Sequence, residues 1–370
     1  MKTNKSLHMK KLLLLIILML PLSSFGQYRY YFLKEYFFSR QNSARAEAMG
    51  KGYVSIDGDL ASTYFNPAGI ATLKGIELNG SSASPFYSAN KARYTYLSAG
   101  YHINKYLSVA LSRNHFIYGD NIFTDQNGNP LNIDEPYDEN YCLSLASEPI
   151  KNLLIGLNAN HFIWQPTDKK LTTQFYDFGI IKKFSLPSKN LFNRSFSIGA
   201  SVVNLNNARI TYYESQIKNK NSLPVITRYG FNYQMSLENK VLIDTLTTFK
   251  ILVQGEVQDL LNSKYESALR TGMEIQLLEI LSLRMGYYKE FVYDYDFPEV
   301  NYDQISSFTY GFGVQAPIHK LTKLPLLINF DFTSLPQPPY SQNNFSFRNF
   351  ETYSLRINWL IGNKNNIKIG

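Results

Sequence analysis

A single cysteine, Cys142, stands in 370 residues, so no internal disulfide can form and the fold must hold without covalent cross-links. It lies in a strand-like run, "NYCLSLAS", where a small buried or lipid-facing thiol is the expected role rather than a nucleophile. Long apolar runs are also missing. None reaches the ~18 residues of a membrane-spanning helix, and mean hydropathy is −0.23, which excludes a helical membrane protein. A β-barrel survives that test, because its lipid-facing residues are diluted one-to-one by lumen-facing ones. Tryptophan is scarce, with 2 residues, whereas 28 Tyr and 25 Phe bring the aromatics to 15%; that balance suits a sheet bordered by interfacial girdles. The five histidines (His8, His102, His115, His161, His319) are scattered, with no pair at metal-ligand spacing. There is no His-Glu-x-x-His, no Gly-x-Ser-x-Gly elbow and no phosphate loop, so the chain reads as a non-enzyme that needs no cofactor.

The N-terminus reads as a targeting segment. Lys2, Lys5, Lys10 and Lys11 precede the apolar stretch Leu12–Leu22, which is too short to span, and Ser24 and Gly26 supply small residues for cleavage before Gln27. A retained anchor helix is the competing reading, and its length counts against it. Removing residues 1–26 takes away four lysines and no acids, lowering the formal charge from +8 to +4, too small an excess to imply a nucleic-acid partner.

From Gly75 onward the sequence alternates apolar and polar residues in fourteen segments bounded by Asn, Gly, Pro, Asp and Lys clusters. In "TYSLRINW", Tyr353, Leu355, Ile357 and Trp359 oppose Thr352, Ser354, Arg356 and Asn358. In "RSFSIGASVV", Phe196, Ile198, Ala200 and Val202 oppose Ser195, Ser197, Gly199 and Ser201. No amphipathic helix interrupts the series, so the strands are antiparallel neighbours. Period 2 with one apolar face suits a soluble sandwich or a lipid-facing barrel. Connection lengths favour the barrel: long ones (117–138, 205–223, 291–303, 334–348) tend to alternate with short ones (102–104, 149–151, 278–279, 317–322), although 186–193 and 238–246 are longer than this rhythm requires. The expected architecture is all-β, a transmembrane antiparallel barrel of about 14 strands with a short N-terminal plug. Its divisions are 1–26 signal peptide, 27–72 plug, 73–362 barrel and 363–370 tail.

On the polar face lie Arg228, Lys250, Glu256, Arg270, Glu274, Arg284, Asp331 and Arg356. An unpaired charge in a dry interior costs several kcal/mol, so these must face water, each other or a plug. They form either a salt-bridge ladder bracing the wall or a substrate site, and the ladder is the simpler expectation.

The stretch Ser43–Ala71, "SARAEAMGKGYVSIDGDLASTYFNPAGIA", does not alternate. It is rich in small residues and turn formers, and a segment of ~45 residues upstream of the first strand is the right size for a plug inside a barrel. A disordered leader is the alternative. Arg45, Met49, Gly50, Gly52, Asp57, Asp59, Asn66, Pro67, Ala68 and Gly69 form an Ala-Arg-x-x-x-Met-Gly element, an acidic turn and an Asn-Pro-Ala-Gly turn. This pattern resembles the N-terminus of the FadL superfamily of outer-membrane proteins. Later pieces, "LPVITRYGFNY", "ESALRTGMEI", "LSLRMGYY", "TYGFGVQ" and "INFDFTSL", resemble its PorV/PorQ-type branch in Bacteroidota. The resemblance implies a fourteen-stranded barrel in a Gram-negative outer membrane. It implies one of two roles: docking or shuttling secretion-translocon and cargo proteins in type IX secretion, or transport of long-chain fatty acids and other hydrophobic small molecules.

Two loops carry further expectations. Acids in 117–138 (Asp120, Asp125, Asp134, Glu135, Asp138) form either a solvated loop or a Ca²⁺ site, and the spacing fails that of an EF-hand. "GYYKEFVYDYDFPEVNY" places Tyr288, Phe291, Tyr293, Tyr295, Phe297 and Tyr302 near the top of a strand, as interfacial girdle or as an extracellular binding loop. A transporter further predicts an apolar pocket beneath the loops and a kinked strand beside the plug, whereas a docking protein can have a sealed, charge-braced lumen.

Overall fold

In the computed structural model, the described residues are 37–38, 43–84, 92–104, 106–119, 121–124, 130–166, 169–189, 192–214, 217–241, 244–261, 267–293, 302–322, 324–336 and 349–361. The expected signal peptide and C-terminal tail lie outside them.

Eighteen strands are formed among these residues: β1 (Ile76–Ser84), β2 (Arg93–Asn104), β3 (Leu107–Ile117), β4 (Asn121–Thr124), β5 (Pro130–Asp134), β6 (Tyr137–Ile150), β7 (Leu153–Gln165), β8 (Leu171–Lys189), β9 (Phe192–Val203), β10 (Arg209–Glu214), β11 (Ile217–Ser222), β12 (Val225–Val241), β13 (Asp244–Leu261), β14 (Ala268–Leu277), β15 (Leu281–Tyr293), β16 (Tyr302–Ala316), β17 (Leu326–Leu335) and β18 (Phe350–Trp359). Fourteen of them close into one antiparallel barrel in the order β1-β18-β17-β16-β15-β14-β13-β12-β9-β8-β7-β6-β3-β2. Closure comes from β1 pairing with β18, from Ile76 opposite Trp359 to Ser84 opposite Glu351. A closed ring leaves no edge strand to be satisfied, which is what a sheet in hydrocarbon requires.

The remaining four strands form two hairpins, β4–β5 and β10–β11, inside connections that read as plain loops. The connections 186–193 and 238–246 shrink as well. β8 and β9 extend to Lys189 and Phe192, and β12 and β13 to Val241 and Asp244. At the short-turn end two or three residues separate successive strands except after β16, where a four-residue helix, Ile318–Leu321, intervenes. There Glu279 accepts from Thr247 N (2.8 Å) and Lys320 Nζ (3.0 Å). Burial alone would raise this carboxyl, but Lys320 and Thr247 hold it below the ordinary range.

Burial alternates along every wall strand. Leu78, Leu97, Leu111, Leu143, Leu145, Leu157, Leu283, Met285, Phe312 and Leu355 point out and are exposed, while the intervening residues are covered within the ring. Tyr101, Tyr106 and Trp359 border this belt at the short-turn end. An apolar exterior on a closed barrel is a lipid-facing surface, and depth within it sets the cost of a charge. Replacing Leu145, five residues from the end of β6, by Arg should lower barrel stability by about 2–4 kcal/mol in urea titrations from lipid vesicles, whereas Leu107→Arg beside a turn should cost about 0–1 kcal/mol.

Residues 43–73 lie across the inside of this ring. Ser43 caps α1 (Ala44–Ala48), which ends where Gly50 and Lys51 take φ of 70° and 66° and turn the chain. α2 (Ser62–Phe65) follows, then a 3₁₀ turn over Pro67–Thr72, whose N-cap Asn66 accepts from Ala68 N (3.1 Å) and whose first residue is the proline. Leu60, Ala68, Ile70, Ala71 and Leu73 pack against Ala110, Ala146, Leu154 and Ile181 of the wall.

Candidate functional site

Of the ten residues of the plug motif, Met49, Gly50, Asn66, Pro67 and Ala68 lie directly on inward glycines of the wall. Three pairs of inward glycines stand directly opposite each other on neighbouring strands: Gly156 and Gly179, Gly199 and Gly230, Gly272 and Gly286. Asn66 and Pro67 lie on the first pair, Val54 and Ser55 on Gly199, and Met49 and Gly50 on the third. A side chain at Gly156, Gly199, Gly272 or Gly286 would occupy space now filled by plug main chain, whereas at Gly179 it would meet the Asn66 and Pro67 side chains and at Gly230 the wall's own Gly255 O and the Val54 side chain. Gly52 packs on Gln254 and Gly69 on Ser62 and Ile56.

Wall side chains then satisfy the plug's backbone, which otherwise would be buried unpaired. Asn158 Nδ2 donates to Thr63 O (2.9 Å), Ser201 Oγ to Phe65 O (2.6 Å), Gln254 Nε2 to Met49 O (2.8 Å) and Thr333 Oγ1 to Ala44 O (2.9 Å). Asn66 works in the opposite direction, donating to Ile180 O and Ala200 O of the wall at 3.1 and 3.2 Å.

All eight polar-face charges point inward, and most meet the plug rather than only one another. An alternating chain runs Asp331–Arg284–Glu274–Arg45–Asp59–Arg356, with Arg45 and Asp59 from the plug and the other four from β17, β15, β14 and β18. Its contacts are Arg284 Nη1 to Asp331 (2.7 Å), Arg284 Nε to Glu274 (2.6 Å), Arg45 Nη2 to Glu274 (2.7 Å), Arg45 Nη1 to Asp59 (3.0 Å) and Arg356 Nη1 to Asp59 (2.7 Å). Glu256 accepts from Val54 N (2.8 Å) and pairs with Arg270 (3.2 Å), which also meets Glu290, the partner of Lys51. Arg228 is buried against Gln258 and over the rings of Tyr64 and Phe65. Lys250 and Asp57 face a polar cavity of about 510 Å³ beneath the plug, where Lys183 Nζ reaches Asp57 at 2.6 Å. The expectation of a ladder within the wall captured the pairing of charges but not the plug between them.

Above the plug, at the long-loop end, the lumen is aromatic. Tyr94, Phe116, Phe162, Phe175, Val203 and Ile226 of the wall form one buried cluster with Ala208, Ile210 and Leu223 from the β9–β12 connection. Phe37 and Phe38 fill its centre. Phe37 lies 5.2 Å from Phe162 between ring centroids, and Phe38 5.5 Å from both Phe162 and Phe175. Only about 30 Å³ is left beside them, roughly room for one water.

The expected binding loop is repositioned. β15 and β16 run on to Tyr293 and Tyr302, so Phe291, Tyr293 and Tyr302 belong to wall strands, paired as Phe291 with Gln304 and Tyr293 with Tyr302. Tyr288 faces inward, 2% exposed, under Lys51 Nζ at 4.4 Å and beside Leu335 and Phe350. The alternation of β15 simply continues past the tyrosine cluster. Tyr295 and Phe297 lie outside the described residues. Cys142 is inward and buried, 3.5 Å from Ser144 Oγ. Among the described residues no group of three or more His, Cys, Asp or Glu could hold a metal ion. The glycine pairs, Phe37–Phe38 and the Lys51–Glu290 pair were not singled out from sequence. Inward parity on β15, which carries Gly286, Tyr288 and Glu290, was the available signal for some of them.

A closed antiparallel ring with a lipid-facing exterior, a charged interior and a chain segment folded across its lumen is a plugged transmembrane β-barrel. No family model and no curated protein sequence matches this chain. Solved structures similar to it include the Pseudomonas putida toluene transporter TodX (9% identity over 86% of this chain and 97% of that one, TM-score 0.44). The Ralstonia pickettii toluene transporter TbuX is also similar (9% identity, 86% and 98%, 0.45), as is a Pseudomonas aeruginosa FadL homologue (9% identity, 87% and 98%, 0.43). At this identity and overlap no substrate transfers from them.

Proposed function

We propose that this barrel sits in a Gram-negative outer membrane, takes up a small apolar molecule at its long-loop mouth, and passes it inward when the plug rearranges. The aromatic cluster around Phe37 and Phe38 carries this reading. Its walls offer ring faces and aliphatic carbons, which suits a ligand that desolvates cheaply, above a polar floor that includes Asn158, Asn160, Asp177 and Arg228. The chain's own two phenylalanines stand where such a ligand would lie. Barrel register is unbroken at plug height, shifts being confined to strand ends, so the kinked strand expected of a transporter is not found among the described residues, and the path proposed here runs through the plug. The protein acts here as a carrier and not as an enzyme.

Two variants separate this site from general stickiness. Phe162→Ala with Phe175→Ala should weaken binding of an apolar fluorescent probe on the order of tenfold, since each ring contact contributes about 0.5–1.5 kcal/mol. Phe37→Ala with Phe38→Ala should strengthen it by removing the internal competitor. Unchanged probe affinity in both would sink the assignment.

A second reading keeps one observation of its own. Among the described residues the lumen is crossed by the plug and braced by charges, as suits a PorV/PorQ-like barrel of Bacteroidota that docks translocon or cargo proteins. Gentle detergent purification followed by mass spectrometry distinguishes them: a stoichiometric apolar small molecule supports carriage, and a co-purifying protein supports docking.

A further inference from the structure

The outer wall over β18, β1, β2, β3, β6 and β7 departs from a smooth lipid-facing belt in two ways. It is dented. Gly80, Ala99 and Ala159 point outward between Leu78, Leu97, Leu111, Leu143 and Leu355, leaving a groove of about 710 Å³ whose lining is mostly apolar. It is also charged at one end of that dent. The outward residues Leu355, Gly80, Leu97, Arg113, Tyr141 and His161 stand directly opposite one another on successive strands. The next outward row toward the long loops carries His115 opposite Glu139, and the row beyond that Arg93 opposite Ile117 and Ile117 opposite Tyr137. Lys170 Nζ reaches the same patch, 5.8 Å from the Tyr137 ring.

Three permanent cations, Arg93, Arg113 and Lys170, thus stand on this part of the wall against two outward carboxylates, Glu139 among them and Glu351 at its β18 edge, opposite Ser84 and accepting from Tyr353 Oη. Glu139 does not cancel them. It pairs with Arg113 at 2.5 Å, and Tyr141 donates to it at 3.1 Å, yet its side chain is 8% exposed while that of Arg113 is 40% exposed. The acid is tucked under the cation, and the guanidinium is presented outward. Arg113 lies six residues along β3 from its short-turn end, on the order of 15 Å up a tilted strand, and so in the half of the belt nearer the long loops. A guanidinium facing hydrocarbon at that depth calls for an anion, and the dent immediately beside it is shaped for an alkyl chain.

We propose that this face binds one phosphate-bearing, acylated lipid of the leaflet on the long-loop side. Its phosphate is held by Arg113 with Arg93, Lys170 and His161 around it, and an acyl chain lies down the groove over Gly80 and Ala99. The site is on the outside of the wall and is independent of what passes through the lumen. Bidentate, planar recognition suits Arg113 for phosphate, and Tyr137 and Tyr141 offer amphipathic edges at headgroup depth.

The test is native mass spectrometry of the full-length barrel in detergent, exchanged with bis-phosphorylated lipid A, phosphatidylglycerol or phosphatidylcholine at equal concentration. One lipid A should be retained at least about tenfold better than phosphatidylcholine, and better than phosphatidylglycerol. Arg113→Gln with Lys170→Gln should reduce that retention about tenfold. Ala99→Leu, which fills the groove and leaves every charge in place, should reduce it as well. Heat-modifiable migration on gels, unchanged in each variant, shows that the barrel has assembled. Equal retention of the three lipids, or retention unaltered by both variants, overturns the proposal.

Discussion

Gly286→Val should convert a closed barrel into a conducting one. A Cβ at this position falls on Gly50 N and Met49 C, and the facing Gly272 carries the rest of the same plug turn. Both sides of the contact are main chain, so no side-chain rotation relieves it. That turn is also held by Thr309 Oγ1, which accepts from Gly50 N and donates to Ala48 O, both at 2.9 Å. The fourteen-strand wall is the larger and more cooperative unit, so the plug yields first. In planar bilayers the variant should show stable ion conductance where the parent shows little, and cells carrying it should become several-fold more sensitive to large polar antibiotics. Gly80→Ala is the matched control. It faces outward, its nearest neighbour being Leu97 Cδ2 at 3.3 Å, and it should change neither reading. A non-conducting, normally assembled Gly286→Val barrel would show that the plug is not seated by this glycine pair.

Arg284→Met should destabilise the wall strongly. Arg284 joins Asp331 and Glu274, and all three side chains are nearly fully covered, at 4%, 7% and 4% exposure. Glu274 keeps Arg45, but Asp331 loses the only ion pair recorded for it among the described residues. Removing one partner of a buried pair costs about 3–5 kcal/mol, because the desolvated charge left behind has no compensation. Urea titration followed by the fluorescence of the two tryptophans measures this. Adding Asp331→Asn should restore more than half of the loss, since the amide removes the stranded charge while keeping its shape. If the double variant is as unstable as the single one, the arginine acts through packing alone.

The barrel was legible because period 2 is a local property. Whether Leu355 and Arg356 face opposite ways follows from their being neighbours, and the same parity sends Arg228, Glu274 and Asp331 inward. Strand ends were harder. Residues 186–193 and 238–246 extend β8, β9, β12 and β13 without clear alternation, since beyond the membrane both faces meet water and polar residues suffice on each. The aromatic stretch after Gly286 misled for the opposite reason: Tyr288 is part of the alternation, and tyrosines dense enough for a girdle hid its inward parity.

Local pattern by itself therefore determined which residues share a strand face and that a compact non-alternating segment precedes the strands, while closure into a ring, favoured by connection lengths, was decided by the pairing of β1 with β18. Tertiary structure alone decided who meets whom. Gly272 and Gly286 become a seat for Met49 and Gly50 only through strand register, and Arg45 finds Glu274 across 229 positions of sequence. Alternation repeats every two residues and so fixes a side chain's face, but it leaves the sliding of one strand against the next undetermined. Short turns such as 278–280 remove that freedom within each hairpin, and ring closure removes it across the long loops.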